Sequence, residues 1–264
     1  MISLPEFLNR HLHFLEADQA RHNLVLGVLD RVQKKPAEIR LWSFGEGARF
    51  ALQTPPKGII LGDLSPADCA SLALQVKDLD FHACTGNDET PTRFAQALAP
   101  HGVELHLGMP QRVYVLTKPP RHPNAKGSGR IATIADKKLY VEWTIRFCEE
   151  AVAHEPPPTP EELEKVALDR PVFFWVFEGE PVAMASRSRE TKDGSNISLV
   201  YTPPQFRGQG YGSAVTAFAC DNVFAEGKKI AYLYTDLRNI TSNKIYLRIG
   251  FEPWCDASTF VRGN

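Results

Sequence analysis

Apolar residues recur every three or four positions near the start of the chain: Phe7, Leu8, Leu12 and Leu15, then Leu24, Leu26, Val28, Leu29 and Val32. That spacing predicts one or two amphipathic helices over residues 4–35, broken near 18–23. The apolar period then shortens. Residues 39–44, 48–53 and 57–61 read as successive strands, divided by Gly45-Glu46-Gly47 and by Pro55-Pro56. Ser65-Pro66-Ala67-Asp68 has serine at the cap and proline at the first position, and predicts a helix to about residue 79. A strand at 81–85 and a helix at 90–98 follow, then strands at 103–107 and 112–117 that form a hairpin about Met109-Pro110. Residues 118–129 carry prolines, glycines and charges with no apolar period, and read as a linker.

Beyond it, Leu139, Trp143, Phe147 and Ala151 share one face of a helix predicted over 136–152. Thr159-Pro160-Glu161-Glu162 is a capping box and starts a helix that ends near residue 168. Residues 172–177 and 182–187 form a strand pair around Glu178-Gly179-Glu180-Pro181. The run 197–202 is β-branched and aromatic, and Pro203-Pro204 ends it because proline lacks the ladder N–H. Gly208, Gly210 and Gly212 come next, then Ala214, Val215, Phe218, Ala219 and Val223 at helical spacing, with Gly227 as the stop. A strand at 230–235, a helix at 239–250 and closing strands at 251–261 complete the chain. The expected organisation is an α/β domain at 1–118, a linker at 119–129 and a second domain at 130–264.

The strand, glycine turn and helix start at 197–212 carry the chemistry. The first N–H groups of a helix have no internal partner, and the helix dipole favours an anion there. Glycines allow close backbone approach and positive φ, and Arg207 adds a fixed positive charge. A pyrophosphate suits such a turn. The P-loop pattern is absent, since no Gly-Lys-Ser/Thr follows. A dinucleotide site stays open as an alternative: Asp236 ends the next strand, where a ribose-binding acid belongs, although the third glycine comes one residue early.

Gln205-x-x-Gly208-x-Gly210 resembles the Gln/Arg-x-x-Gly-x-Gly/Ala signature of the GNAT superfamily of acyl-CoA N-acyltransferases. Asn239-x-x-Ser242-x-x-Ile245-Tyr246-x-x-x-Gly250-Phe251 resembles the late helix element of the same family. Val-Tyr-Thr-Pro-Pro before the glycine turn is similar to the glycine N-acyltransferase branch. The resemblance covers about residues 130–262. It implies an α/β (α+β) fold with a mixed, mostly antiparallel sheet flanked by helices. Residues 57–79, a strand followed by a helix, read as a degenerate GNAT-like counterpart without Gly-x-Gly.

By the same resemblance, the backbone from Arg207 through Gly208, Gln209, Gly210, Tyr211 and Gly212, with Gln205, holds the pyrophosphate of acetyl-CoA. Val200 and Thr202 pair with the pantetheine arm, and the Val200 N–H polarises the thioester carbonyl. Asn239, Asn243 and Tyr246 lie at i, i+4 and i+7 on one helical face. The asparagines touch the arm and Tyr246 protonates the leaving thiolate; the alternative for Tyr246 is a ring that anchors the helix. The strand 197–202 has no acid. Asp236 is therefore the candidate base, with capping of the following turn as its alternative, and Ser198 the candidate to order a water. The expected activity is transfer of an acetyl or short acyl group to a primary amine of a small molecule or amino acid; the alternative is a CoA-binding or sensing module without turnover.

Composition narrows the picture slightly. The chain has 264 residues, 43% of them hydrophobic, enough for two cores. Its 30 basic and 31 acidic residues form no basic stripe, so no nucleic-acid partner is expected. Five cysteines at wide spacing, without Cys-x-x-Cys or clustered histidines, predict reduced thiols, no metal and a cytoplasmic location. Cys220 reads as a small packed residue and the histidines as structural. No apolar run approaches the roughly 20 residues of a membrane span and no signal peptide is visible.

Overall fold

The computed structural model describes residues 1–151 and 158–263. Among the described residues eight α-helices and eleven strands form two compact units. Unit 1 is Met1–Val113, Tyr234–Asn239 and Pro253–Asn264; unit 2 is Tyr114–Leu233 and Ile240–Glu252.

In unit 1, α1 (Leu4–Ala17) begins where the Ser3 hydroxyl accepts the Glu6 N–H at 3.3 Å. Asp18 then accepts the Arg21 N–H and turns the chain into α2 (Asn23–Lys34), so the first apolar pattern is two helices. The strands β1 (Arg40–Ser43), β2 (Phe50–Gln53) and β3 (Ile59–Leu61) are antiparallel neighbours. Helix α3 (Pro66–Val76) crosses over to β4 (Ala83–Asn87), which lies parallel to β3. Helix α4 (Thr90–Leu98) leads to β5 (Leu105–Leu116). The last strand of the chain, β11 (Glu252–Arg262), lies antiparallel to β4 from Ala257 to Val261. One core packs α1 and α2 on the β1–β2 face, with the Phe7 and Phe50 rings edge to face at 5.3 Å. The other packs α3 and α4 around Leu72, Phe81 and Phe94.

Two expectations change here. β5 runs unbroken through Met109 and Pro110, where the sequence predicts a turn. Proline's fixed φ fits an extended strand, and the Pro110 carbonyl accepts the Leu237 N–H at 2.9 Å. The compact units also differ from the consecutive segments 1–118 and 130–264, because β11 completes the sheet of unit 1 and residues 114–116 belong to unit 2.

Unit 2 contains β6 (Ser128–Ile131), α5 (Lys137–Ala151), α6 (Pro160–Val166), β7 (Val172–Phe177), β8 (Glu180–Glu190), β9 (Gly194–Tyr201), α7 (Tyr211–Ala225), β10 (Ile230–Asp236) to Leu233, and α8 (Ile240–Ile249). Strands β6 to β9 are antiparallel neighbours, and β10 lies parallel to β9 across the α7 crossover. Glu178 and Gly179, at φ +50° and +85°, make the β7–β8 turn. β6 lies partly inside the stretch that the sequence presents as a linker. Its Gly129 has no room for a side chain, since a Cβ there would collide with the Phe218 ring. The preceding segment is tied down as well: the Arg121 N–H donates to the Ile249 carbonyl, and Trp175 Nε1 to the Lys126 carbonyl. The predicted end of the 136–152 helix, Val152, lies outside the described residues.

Both faces of the β7–β9 region are covered. α7 buries Ala214, Val215, Ala219, Cys220 and Val223 on one. Tyr140 and Trp143 of α5 and Leu163 of α6 cover the other. At the far end of α7, the buried Arg187 guanidinium is held by Glu226, Glu190 and the Ser195 hydroxyl.

In unit 1, His11 is fully buried, with Nδ1 2.8 Å from the Gly47 carbonyl and Nε2 2.9 Å from the Ser43 hydroxyl. Burial lowers its pKa and that of His22. A lowered folded pKa gives stability that is present above the unfolded value, near 6.5, and is lost as pH falls through the folded one. The melting temperature at pH 5 is therefore expected to lie below that at pH 7.5, and His11→Gln should shrink the difference. An equal difference in the variant would assign the acid sensitivity elsewhere.

Candidate active site

β9 keeps its parallel partner for three residues only: Gly194, Ser195 and Asn196 face Ile230, Ala231 and Tyr232. An irregularity follows two residues further on. The pairing of β9 with β8 slips between the Ser186–Ser198 and Met184–Tyr201 pairs, and Leu199 adopts φ +49°. A bulge with a left-handed residue bends the strand and ends regular pairing. Among the described residues no β10 partner follows Asn196, and Val200 lies beyond that point, next to the bulge.

Pro203 and a short 3₁₀ turn, Pro204–Phe206, carry the chain from β9 to α7. Gly208 and Gly210 then take φ +81° and +82°, the region that L-residues pay about 1–2 kcal/mol to enter. Gly210 is the N-cap of α7 and supplies no side-chain cap. The first helical bond runs from the Ala214 N–H to the Gly210 carbonyl at 3.0 Å. The N–H groups of Tyr211, Gly212 and Ser213 come before it, in the part of a helix that has no internal acceptor. Helices α1, α3 and α6 differ: Ser3, Ser65 and Thr159 close their starts with side chains.

The loop side chains brace one another. Arg207 donates from Nε to the Thr202 carbonyl at 2.9 Å, and its Nη2 pairs with Glu150 at the end of α5. The same carboxylate accepts the Tyr201 hydroxyl at 3.2 Å. The Tyr211 hydroxyl donates to Gln209. Gln205 is exposed. A Cβ on Gly212 would meet the Thr202 hydroxyl at 3.1 Å. Glu150 is a partner that sequence reasoning missed, since 57 residues separate it from Arg207.

On α8, Tyr246 is buried against Tyr114 and Phe251, with ring centroids 6.4 Å and 6.0 Å away. Burial pushes its phenol up to about 12, against an opposing hydrogen bond with Ser242. The group stays protonated across the physiological range. Asn243 Oδ1 accepts the Tyr114 hydroxyl at 2.9 Å. Tyr114, at the β5 end inside unit 2, is the second residue the sequence reading missed: Arg-Val-Tyr-Val-Leu reads simply as a strand. Asn243 and Tyr246 share one face of α8. Asn239 precedes the helix and, with Asp236, falls in unit 1.

Asp236 behaves as the turn residue that was its alternative reading. Its Oδ1 accepts the Arg238 N–H at 2.8 Å, and both carboxylate oxygens accept from the Arg238 guanidinium. Cys220 is fully buried and burial raises its thiol pKa, which suits a packed residue and not a nucleophile. Among the described residues no group of three or more His, Cys, Asp or Glu is placed to hold a metal, and no helix is long and apolar enough to cross a membrane.

The α+β fold is like that of solved GNAT acetyltransferases. Residues 138–251 match the model of the Acetyltransferase (GNAT) family, so this part of the chain is a GNAT acetyltransferase domain. A GCN5-related N-acetyltransferase from Kribbella flavida aligns at 16% identity with a TM-score of 0.62, over 92% of this chain and 95% of its own. A Drosophila protein known from an X-ray structure aligns at 12% identity with a TM-score of 0.70, over 99% and 96%. A tandem GNAT protein from the clavulanic acid biosynthesis pathway aligns at 15% identity with a TM-score of 0.55, over 90% and 88%. At these identities the likeness is one of fold. No curated protein sequence matches the chain.

A Cβ on Gly208 meets nothing within 4 Å, so only its positive φ resists substitution. Gly208→Ala is expected to destabilise by about 1–2 kcal/mol, a few degrees in a thermal melt. Gly208→Asn, which tolerates this conformation, should recover part of the loss. Equal melting of wild type and Gly208→Ala would show that the loop relaxes freely.

Proposed function

We propose that the second half of the chain transfers an acetyl or short acyl group from a CoA thioester to a primary amine of a small molecule or amino acid. The observation that carries this reading is the start of α7: two left-handed glycines, no side-chain cap and a run of N–H groups without helix acceptors. Such a start fits a pyrophosphate. The N–H groups from Arg207 to Gly212 hold it, and Gln205 and Gln209 line its approach. The edge at Val200 and Thr202 takes the amides of the pantetheine arm, with Asn243 as a further contact. Acetyl-CoA supplies the activated acyl group. The Val200 N–H polarises the acyl carbonyl, an effect that contributes a few kcal/mol in sites of this kind.

Tyr246 holds the proton destined for the leaving thiolate. Its raised pKa keeps that proton in place at neutral pH. Asp236 is engaged with Arg238 and its own turn, so we assign it no base role. An amine that arrives neutral attacks without one. The Val-Tyr-Thr-Pro-Pro run supports an acceptor of the glycine N-acyltransferase kind.

We further propose that unit 1 is a GNAT-like half with a closed anion site. β3, α3 and the parallel β4 repeat the order of β9, α7 and β10. At the α3 start, however, Asp68 fills the cradle: its carboxylate accepts the Ser65 N–H and hydroxyl and is clasped by Arg49. Burial opposes the charged form of Asp68, but Arg49 and the Ser65 bonds outweigh it and hold the pKa low, so a carboxylate paired with Arg49 already occupies this helix start.

A second reading is a CoA-binding module without turnover, favoured by the lack of any acid on β9. Thermal unfolding and turnover separate the two. Acetyl-CoA at a hundred times its Kd should stabilise the wild type by about 2.7 kcal/mol. Gly210→Glu should abolish that shift. Tyr246→Phe should keep the shift and lose about 100-fold or more in kcat. A shift with NAD and none with any CoA species would overturn the acyl-CoA reading, and binding without turnover on any amine would select the second.

A further inference from the structure

One carboxylate ties together the two ends of the turn that joins β9 to α7. Glu150, in the last turn of α5, accepts the Tyr201 hydroxyl on Oε1 at 3.2 Å and pairs through Oε2 with Nη2 of Arg207. Tyr201 is the last residue of β9, and Arg207 directly precedes Gly208. Between them lie Pro203 and the 3₁₀ turn Pro204–Phe206. Arg207 also reaches back from Nε to the Thr202 carbonyl at 2.9 Å. α5 grips Tyr201 a second time: the Trp143 ring meets the Tyr201 ring edge to face at 5.9 Å. Trp143 and Glu150 stand at i and i+7, so they share one face of the helix. A Cβ on Gly208 meets nothing within 4 Å, so packing does not fix the turn there, and the bonds of its neighbours take over. Charge alone would favour removing Glu150, since a carboxylate beside an anion site opposes a phosphate. The Glu150–Arg207 pair is about half exposed, which screens that opposition and leaves geometry as the larger effect.

We infer that Glu150 is a positioning residue for the anion loop. By holding Tyr201 and Arg207 at once, it sets the end of β9 against the glycine turn and aligns the N–H groups after Gly208 before a ligand arrives. The Arg207 guanidinium is then a strut within unit 2, and the phosphates meet backbone N–H groups. This rests on the acyl-CoA reading of the second half. A glutamine cannot do the same: Glu150 offers one oxygen to each donor, whereas an amide has a single acceptor edge.

Binding of CoA is measured by calorimetry to wild type, Glu150→Gln, Arg207→Gln and the double variant. Each is measured at about 0.1 M and about 1 M salt, where charges are screened beyond roughly 10 Å and roughly 3 Å. Melting without ligand is followed in parallel. Glu150→Gln should raise the Kd for CoA about 2- to 10-fold at both salt concentrations, the range for one lost hydrogen bond. Added to Arg207→Gln, it should cost nothing more. An ion pair with a structural role alone would lower the melting temperature and leave the Kd unchanged, and that result would overturn the inference. So would tighter binding by Glu150→Gln than by wild type, which would mean that Glu150 merely competes with the phosphates for Arg207. A loss confined to the lower salt, or additive losses in the double variant, would overturn it too. Wild type that binds no CoA would instead remove the acyl-CoA reading on which the inference stands.

Discussion

A strand held on both sides along its whole length cannot receive a ligand's backbone-like amides. β9 keeps its β10 partners only from Gly194 to Asn196, and its pairing with β8 slips twice, the second time beside Leu199 with its positive φ. Among the described residues no β10 partner follows Asn196. Backbone polar groups left unpaired are costly unless something pairs with them. The glycine turn lies beyond this stretch, so the irregular strand end and the uncapped helix start follow one another along the chain. The rest of unit 2 serves to keep that bend in place: α7 packs one face, α5 and α6 the other, and Arg187 pins the far end of α7.

The two helix starts that follow a strand and precede a parallel partner make an instructive contrast. α3 opens with Ser65 and Asp68 in a capping box, and Arg49 neutralises the carboxylate. α7 opens with glycine and brings no anion of its own. The same order of strand, helix and parallel strand thus yields a self-satisfied terminus in one unit, with an extended serine cap, and an uncapped one in the other, with a left-handed glycine. Whether a helix start can take a phosphate is decided by residues at its cap and third position, not by the fold.

Those features were legible because they are local. Gly208 and Gly210 announce positive φ, and the apolar spacing after them announces α7. Ser65-Pro66-Ala67-Asp68 announces a capped helix. Asp236 offered two local roles, and its bonds to the N–H and guanidinium of Arg238 two residues on fit the turn role. What escaped was carried by distant pairs or by residues that break the usual rules. Tyr114 looks like core, Glu150 like one more helix charge, and neither shows its partner in the sequence. Met109-Pro110 looks like a turn but continues a strand, and Ser128-Gly129 looks like a linker but pairs with β7. Glycine there answers to the Phe218 ring, a packing demand that composition cannot reveal.

The central claim is that an acyl-CoA is held by the open helix start of the second half and excluded from the closed one of the first. Isothermal titration of the intact chain with acetyl-CoA tests it most directly, because it counts sites. The account predicts one site per chain, lost in Gly210→Glu. Two sites per chain, or one site that survives Gly210→Glu, would contradict it.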